Sequence, residues 1–197
     1  MTPKAIPLLS LLLLSVTSVS KAQDSSPLDR LLSDAAKTQL GNADADIASA
    51  IEALAPSVHG FAEVPELKAL LSKDRGIPSK DELVGNWKVR SIQVNRLGLF
   101  SYPYFNAKFS KVGGMLFFEK TTGSQRRSGF LLPDASGNLV LVGGKTVNED
   151  PQRPHSSLGG TPDSDTTGKL FKIGDGQLII LLDTSPQKFE IYQLKRS

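Results

Sequence analysis

The fold is decided by residues 83–130, which read LVGNWKVRSIQVNRLGLFSYPYFNAKFSKVGGMLFFEKTTGSQRRSGF. This stretch contains the only tryptophan of the chain, Trp87, and eight basic residues against one acidic residue, Glu119. Short runs of apolar and β-branched residues are separated by turn residues such as Gly113, Gly114 and Gly123. Such runs between turn residues, without a helical period, predict antiparallel β-strands.

The same pattern continues to the C-terminus and gives eight strand candidates in all. Eight short strands at close spacing predict an up-and-down antiparallel barrel or a sandwich over residues 79–197. Gly, Pro, Ser and Asp are frequent in residues 143–168, which predicts a long loop there. The candidate strands are residues 87–94, 104–109, 115–120, 126–132, 139–142, 169–173, 178–182 and 188–194.

Residues 23–78 have a different pattern, in which apolar residues recur at helical spacing. Ser26 followed by Pro27 predicts a capped helix start, and Gly41 predicts the end of that first helix. A second helix is expected over residues 45–54, and Pro65 opens a third. The chain is therefore expected to be mainly β with an N-terminal helical segment, an α+β class, joined through a linker at residues 72–79.

The first 22 residues are typical of a secretory signal. Lys4 precedes an apolar run at residues 6–16, and small residues follow up to Ala22. The apolar run is too short to span a bilayer, which needs roughly 20 residues. We therefore expect cleavage near Ala22, a periplasmic or secreted location, and a mature chain of 175 residues (197 − 22) without a transmembrane segment. Because the chain has no cysteine, disulfides and thiolate chemistry are excluded.

Charge is divided between the two parts of the mature chain. Residues 23–82 have 6 basic and 11 acidic side chains, a net charge of −5, and residues 83–197 have 15 basic and 9 acidic, a net charge of +6. Opposite charges of this size favour docking of the helical segment on the barrel, or separate partners for the two parts.

The start of the first strand, Gly85-Asn86-Trp87, resembles the opening of lipocalin-type barrels. The resemblance implies an eight-stranded lipocalin-like barrel whose closed end is plugged by Trp87. It also implies that a basic residue near the last strand, Lys195 or Arg196, packs over the tryptophan.

Four further motifs resemble a family of exported bacterial proteins catalogued as domain of unknown function 4893. The longest of them is FEKTTGSQRRSG at residues 118–129. The resemblance implies export and a shared fold, and it implies no activity. The other three are WKVR at residues 87–90, YPYF at 102–105 and VNEDP at 147–151.

The FEKTTGSQRRSG motif also predicts a charged β-hairpin that turns at Gly123. With a loop at residues 121–125, Lys120 faces Arg126 and Glu119 faces Arg127, which would fix the register. Because side chains alternate, one of the two arginines must point toward apolar neighbours. One interpretation is a structural arginine; the other is a site where Arg126 or Arg127, with Lys120 and Tyr104, binds an acidic ligand.

Catalytic and metal sites have little support in the sequence. A Ser–His–Asp hydrolase would need His59 or His155, and neither lies in a nucleophile-elbow context. Two histidines without cysteine are too few for a zinc site. Residues 163–168 begin like a calcium loop, but Gly174 stands where a glutamate is required. We expect no metal, no cofactor and no catalytic residue, and export argues against nucleic acid as a partner.

These observations favour a non-enzymatic envelope binding module, for either a small apolar or amphipathic ligand or a protein partner. Two alternatives stay open: an inhibitor of a secreted protease that uses the N-terminal segment or the long loop, and a hydrolase that uses Glu119 with an aspartate. The barrel interior could surround a cavity or be filled by its own side chains. The residues expected inside are Trp87, Val89, Phe105, Ala107, Phe109, Phe117 and Phe189.

Overall fold

The computed structural model describes residues 26–197, so the predicted signal at residues 1–22 lies outside the described residues. Nine β-strands follow four helices, every strand pairing is antiparallel, and the last strand pairs with the first to close a barrel. The predicted class, mainly β with N-terminal helices and an eight-stranded barrel, is confirmed. The strands are β1 (Gly85–Asn95), β2 (Gly98–Ser101), β3 (Phe105–Val112), β4 (Met115–Lys120), β5 (Gln125–Pro133), β6 (Leu139–Val147), β7 (Asp165–Gly174), β8 (Gln177–Ser185) and β9 (Lys188–Arg196).

The additional strand, β2, was not among the eight candidates. Asn95 pairs with Gly98 across a turn of only two residues, and Asn95 Oδ1 accepts a hydrogen bond from the Leu97 N–H at 2.8 Å. Both β2 and β3 pair with the same edge of β1, and Pro103 lies between them. Because proline has no N–H to donate to the ladder, it divides one long strand into two. The barrel wall therefore still has eight strand positions.

The long loop is shorter than residues 143–168. β6 continues to Val147 and β7 begins at Asp165, so the loop spans residues 148–164 and contains two short 3-10 turns, Ser156–Leu158 and Pro162–Ser164. Gly143 lies opposite Gly129 in the ladder, and a Cβ on Gly143 would be 2.6 Å from the Gly129 Cα. Gly143 is thus required by a close approach of two strands rather than by a turn.

The helices are α1 (Pro27–Leu31), α2 (Asp34–Glu52), α3 (Val64–Leu71) and α4 (Lys80–Leu83). Ser26 caps α1 and Ser33 caps α2. The predicted helix end at Gly41 is wrong, because α2 continues through it into the second expected helix. The first expected helix is instead interrupted after Leu31, and Ser33 caps the start of α2. A continuous buried face stabilises α2 against the intrinsic cost of glycine in a helix. That face consists of Leu40, Ala43, Ile47, Ala50 and Ile51.

Two large apolar clusters lie on the two sides of the barrel wall. The inner one fills the barrel around Trp87, Phe109 and Phe118, of which Phe109 and Phe118 are 0% exposed. The outer one joins α2 and α3 to β1, β8 and β9. The placement of Phe117 and Phe189 inside the barrel is wrong. Phe118 points inward instead of Phe117, and Phe189 packs in the outer cluster.

The closed end of the barrel is built around Trp87. Its Nε1 donates to the Leu83 carbonyl oxygen at 2.7 Å, and the Arg196 guanidinium lies 5.0 Å from its ring centroid. Arg196 also donates to the carbonyl oxygens of Glu82 at 3.0 Å and Val84 at 3.1 Å. Of the two basic residues considered for this place, Arg196 occupies it, whereas Lys195 lies over Tyr104.

Gly85 belongs to the same closed end. Its φ is +129°, a conformation that favours glycine, and a Cβ there would lie 3.4 Å from the Arg196 guanidinium. The glycine therefore lets the chain turn into β1 directly beneath the arginine. Within residues 26–197, no helix is both long enough and apolar enough to cross a membrane.

Glu82 links α4 to the barrel and gives a first prediction. It accepts the Ser79 N–H at 2.8 Å in a capping box, and its other oxygen lies 2.5 Å from Lys172 Nζ. The hydrogen bond from Lys172, followed by those from Ser79, lowers the Glu82 pKa to about 2.

We expect Glu82→Gln to destabilise the protein near neutral pH. A carboxylate with a depressed pKa stabilises the folded state above its unfolded pKa, near 4.3, and this is lost as the pH falls to about 2. The difference in free energy of unfolding between the two proteins should therefore shrink across that window. Urea titrations at several pH values measure it, and a difference independent of pH would contradict the role of the charge.

Candidate functional site

The open end of the barrel carries a set of polar side chains that point inward. Strand alternation places Arg127 on the inner face with Leu131, and both are buried. Three other strands, β4, β7 and β9, add Lys120, Thr166, Glu190 and Tyr192, all less than 9% exposed. Charged side chains this well buried require partners, so their contacts decide what the site can do.

Arg127 is the centre of this set. Its guanidinium donates hydrogen bonds to the Glu190 carboxylate and to Thr166 Oγ1, the latter at 2.6 Å. It also lies 2.9 Å from Asp183 Oδ2. Burial by itself would lower the Arg127 pKa, but the charges of Glu190 and Asp183 outweigh burial and raise it. The guanidinium is therefore held as a permanent cation between two carboxylates.

The two carboxylates have further partners. Glu190 accepts from Ser91 Oγ at 2.5 Å and from Gln93 Nε2 at 3.2 Å, while Asp183 Oδ2 also lies 3.0 Å from Lys145 Nζ. We call Arg127, Asp183, Glu190, Lys120 and Lys145 the ion network. It holds three basic and two acidic groups, so it retains a net positive charge.

Asp183 has an unusual backbone. Its φ is +47°, one of only two positive φ values at non-glycine residues among residues 26–197. The pairing of β8 with β9 is irregular between Leu182 and Ser185, as at a β-bulge. Bulges redirect side chains at barrel rims, and a strained non-glycine residue is frequent at ligand-binding positions.

Lys120 carries the excess positive charge. Its Nζ donates to the Gln125 carbonyl oxygen at 2.7 Å and lies 4.7 Å from the Phe105 ring and 5.5 Å from the Tyr192 ring. Burial lowers the Lys120 pKa, an effect that Glu190 opposes and Arg127 adds to. Burial also raises the Tyr192 pKa, with Glu190 contributing.

The register of the charged hairpin differs from the prediction by one residue. Glu119 pairs with Ser128, so the expected pairs of Glu119 with Arg127 and of Lys120 with Arg126 are wrong. Glu119 points outward, where it accepts from Gln152 Nε2 at 2.6 Å. The one-residue shift places Lys120 and Arg127 together on the inner face.

Gly123 does turn this hairpin, and its φ is +92°. A Cβ at Gly123 would lie 3.1 Å from the Phe105 ring, so the ring and the loop require glycine there. The loop thereby holds Phe105 against Lys120.

The four residues proposed as an acidic-ligand site do not form one surface. Tyr104 lies on the outer wall between Arg90 at 5.6 Å and Lys195 at 4.4 Å. Arg126 also points outward and donates to the Asp150 carbonyl oxygen at 2.7 Å, while its buried Nε has no partner. Only Lys120 and Arg127 are together, inside the barrel.

A cavity of about 500 Å³ opens beside the ion network, between the start of α2, the 148–164 loop and the rim of β7 and β8. We call it the rim cavity. Its volume is in the usual range for small-molecule sites, roughly 300–1,000 Å³. It is lined by Leu31, Ser33, Ala35, Ala36, Gln39, His155, Ser156, Pro162, Asp165, Thr166, Thr167 and Asp183.

One wall of the rim cavity brings a Ser–His–Asp set together. His155 Nε2 lies 3.4 Å from Asp165 Oδ2, and its Nδ1 lies 2.8 Å from Ser157 Oγ. However, Nδ1 also accepts the Ser157 N–H at 3.2 Å, and the N–H groups of residues 158–160 all donate within the same turn. The Ser156 N–H also donates to Asp165 Oδ1 at 2.6 Å, so the five N–H groups of residues 156–160 are all used in local hydrogen bonds, as in a capped turn, and none of these five is left to stabilise an oxyanion.

Among residues 26–197, no group of three or more His, Asp or Glu side chains is arranged to hold a metal ion.

The sequence analysis did not identify Asp183, Glu190 or the role of His155. Asp183 lies just before residues that read as a turn, and Glu190 lies in a strand that is apolar on both faces. The only local signal for Asp183 was its tolerance, as an aspartate, of a left-handed conformation.

Comparison with known proteins identifies a family without an assigned activity. The model of the family described as Domain of unknown function (DUF4893) matches residues 29–194. No curated protein and no solved structure matches the chain. The resemblance to lipocalins therefore stays a likeness of architecture.

Proposed function

The chain belongs to the DUF4893 family, and we propose that it is a non-enzymatic binding module of the bacterial envelope that holds a small amphipathic ligand in the rim cavity. The observation that supports this most is the position of Asp183. Asp183 lines the cavity, and its Oδ2 lies 2.9 Å from Arg127 and 3.0 Å from Lys145.

The lining of the rim cavity is two-sided. Leu31, Ala35, Ala36 and Pro162 offer apolar contact from the helical side and the loop. The barrel side offers carboxylate and hydroxyl oxygens from Asp165, Thr166, Thr167 and Asp183. Such a lining suits a molecule with one apolar face and several hydrogen-bond donors, such as an amino sugar.

The ion network gives the polar side of the cavity a fixed geometry. A ligand group that meets Asp183 meets a carboxylate whose position is set by a bulge and two cations. Supporting contacts of this kind reduce the ordering that binding requires. The barrel interior is not proposed as the site, because large apolar side chains fill its closed half.

Export is part of the same proposal. The charge, apolar run and small residues of residues 1–22 support a cleaved signal and a periplasmic or secreted location. The protease-inhibitor alternative has less support, because the 148–164 loop packs against β6 and against itself. Gly144 of β6 lies against the Arg153 backbone, and Gly160 lies against the Pro154 backbone. A loop held in this way does not project as a wedge.

A bulky residue at Ala35 tests the proposal. Ala35 is exposed on α2 and lines the rim cavity, so Ala35→Trp should occupy the cavity and exclude the ligand. Native mass spectrometry of protein purified from the envelope of its own cells should show a retained small molecule in the wild type. The same mass should be absent from Ala35→Trp and reduced in Asp183→Asn, since asparagine keeps the backbone but removes the charge.

Ala45→Trp is the matched control, because Ala45 is also exposed on α2 but does not line the cavity. It should retain the ligand as the wild type does. A wild-type protein that carries no ligand, or an Ala35→Trp protein that carries it equally, would exclude the rim cavity as the site.

A further inference from the structure

A second cavity lies on the outer wall of the barrel, between the strands β4, β5 and β6 and the 148–164 loop. Its volume is about 280 Å³. We call it the wall cavity. The loop lines it with residues 152–155 and Leu158, and the strands line it with Phe117, Ser128, Phe130 and Val142 among others.

Two phenylalanine rings form a corner of the wall cavity. Phe117 and Phe130 lie directly opposite each other on β4 and β5, and their rings meet at 68° with a centroid distance of 5.1 Å. Both rings are half-buried, and neither belongs to an apolar cluster of the core. Aromatic rings prefer edge-to-face and offset-stacked contacts, so this corner suits a planar ring that stacks on one phenylalanine and meets the edge of the other.

Ser128 supplies a buried polar group to the wall cavity. It shares the outer face of β5 with Phe130 and is only 5% exposed. Among residues 26–197, its hydroxyl has no hydrogen-bond partner. Because the large majority of buried side-chain polar groups are hydrogen-bonded, this unpaired hydroxyl is available to a ligand in the cavity.

The loop side of the wall cavity is held in place at both ends. Gln152 Nε2 donates to Glu119 Oε2 on β4 at 2.6 Å. At the other end, the Ser156 N–H donates to Asp165 Oδ1 on β7 at 2.6 Å. A ligand would therefore enter a formed cavity, and little of the binding free energy would be spent on ordering the loop.

We propose that the wall cavity binds a small aromatic molecule with one hydrogen-bonding substituent, such as a phenol. The ring lies against Phe117 and Phe130, and its hydroxyl meets Ser128. An apolar cavity of about 150 Å³ can hold a benzene ring, so 280 Å³ accommodates a ring with a substituent. The wall cavity shares only His155 with the rim cavity, and the proposal is independent of the function of the rim cavity.

Titration of the purified protein with 2-naphthol, followed by ¹H–¹⁵N chemical shifts, tests this site. In the wild type, the amide signals of residues 128–130 and 152–158 should shift, and those of residues 31–39 at the rim cavity should not. Ser128→Ala should raise the Kd of 2-naphthol about 2–12-fold, the contribution of one hydrogen bond, and should leave the Kd of naphthalene unchanged. Phe117→Ala should raise the Kd of both probes at least about fivefold, because both lose a ring contact.

Phe100→Ala is the matched control, because Phe100 is also half-buried but lies on β2, where it stacks on His59 at a centroid distance of 4.8 Å. It should bind both probes as the wild type does, and so should Ala35→Trp, which fills the rim cavity instead. Circular dichroism checks that all variants are folded. Absence of shifts in the wild type, shifts at the rim cavity in place of the wall cavity, or an equal rise in Kd for both probes in Ser128→Ala would overturn the proposal.

Discussion

Replacing Arg127 by Gln is expected to lower the free energy of unfolding by about 3–5 kcal/mol. The substitution leaves the Glu190 and Asp183 carboxylates without the cation that both contact. Breaking a buried ion pair by removing one partner is costly because the remaining charge stays desolvated. In a domain of this size, each kcal/mol shifts the melting temperature by roughly 2–4 °C, so the effect should be clear in a thermal scan.

Arg126→Gln provides the comparison on the adjacent residue. Arg126 is only half-buried and its hydrogen bond goes to a backbone carbonyl. Its loss should cost about 0.5–1.5 kcal/mol. Equal effects at the two arginines would mean that the ion network contributes no more than an ordinary surface contact.

A double-mutant cycle separates the ion pair from other effects of the substitution. Glu190→Gln in the Arg127→Gln background removes one of the two uncompensated charges, so the double variant should be more stable than the sum of the single losses predicts. Additive losses would contradict direct coupling between Arg127 and Glu190. Urea titration of the four proteins gives the coupling energy.

Eight of the nine strands could be located from the sequence, because strand periodicity and turn chemistry are local; β2 was missed. The register of the charged hairpin could not, because it depends on the geometry of residues 121–124. A shift of one residue decides whether Arg127 faces Glu119 or shares the inner face with Lys120. The sequence left open whether Arg126 or Arg127 points into the barrel, and only the conformation of the folded loop decides that it is Arg127.

The inner face of β9 was misjudged for a different reason. Phe189 and Ile191 pack under the helices, while Tyr192 and Leu194 point into the barrel. When both faces of a strand are covered, alternation no longer distinguishes inside from outside. Glu190 therefore could not be placed in the barrel without knowing that α2 covers the outer face.

Gly143 and Gly41 show that a glycine can wrongly predict a loop and can wrongly predict the end of a helix. Gly143 predicted a loop but lies in a strand where the backbone of β5 comes close. Gly41 predicted a helix end but is exposed within α2, where the buried face on either side continues. In each case tertiary packing overrides the local preference.

Replacing Trp87 by Ala is expected to lower the free energy of unfolding by about 3–5 kcal/mol. The indole is 2% exposed and contacts the Phe109 ring edge-on at a centroid distance of 5.8 Å. Its loss would also remove the surface on which the Arg196 guanidinium lies. Tyr102→Ala, at an aromatic residue that is 41% exposed, should change stability far less.

Trp87→Phe separates the packing of the indole from its hydrogen bond. A phenyl ring still fills most of the closed end, but the Leu83 carbonyl oxygen loses the Nε1 donor that it meets at 2.7 Å. The expected loss is about 0.5–1.5 kcal/mol, the usual net contribution of one hydrogen bond, because Arg196 Nη1 still lies 3.4 Å from the same oxygen. If Trp87→Phe were as destabilising as Trp87→Ala, the hydrogen bond rather than the packing would hold the closed end together, and the barrel would depend on α4 more than on its interior.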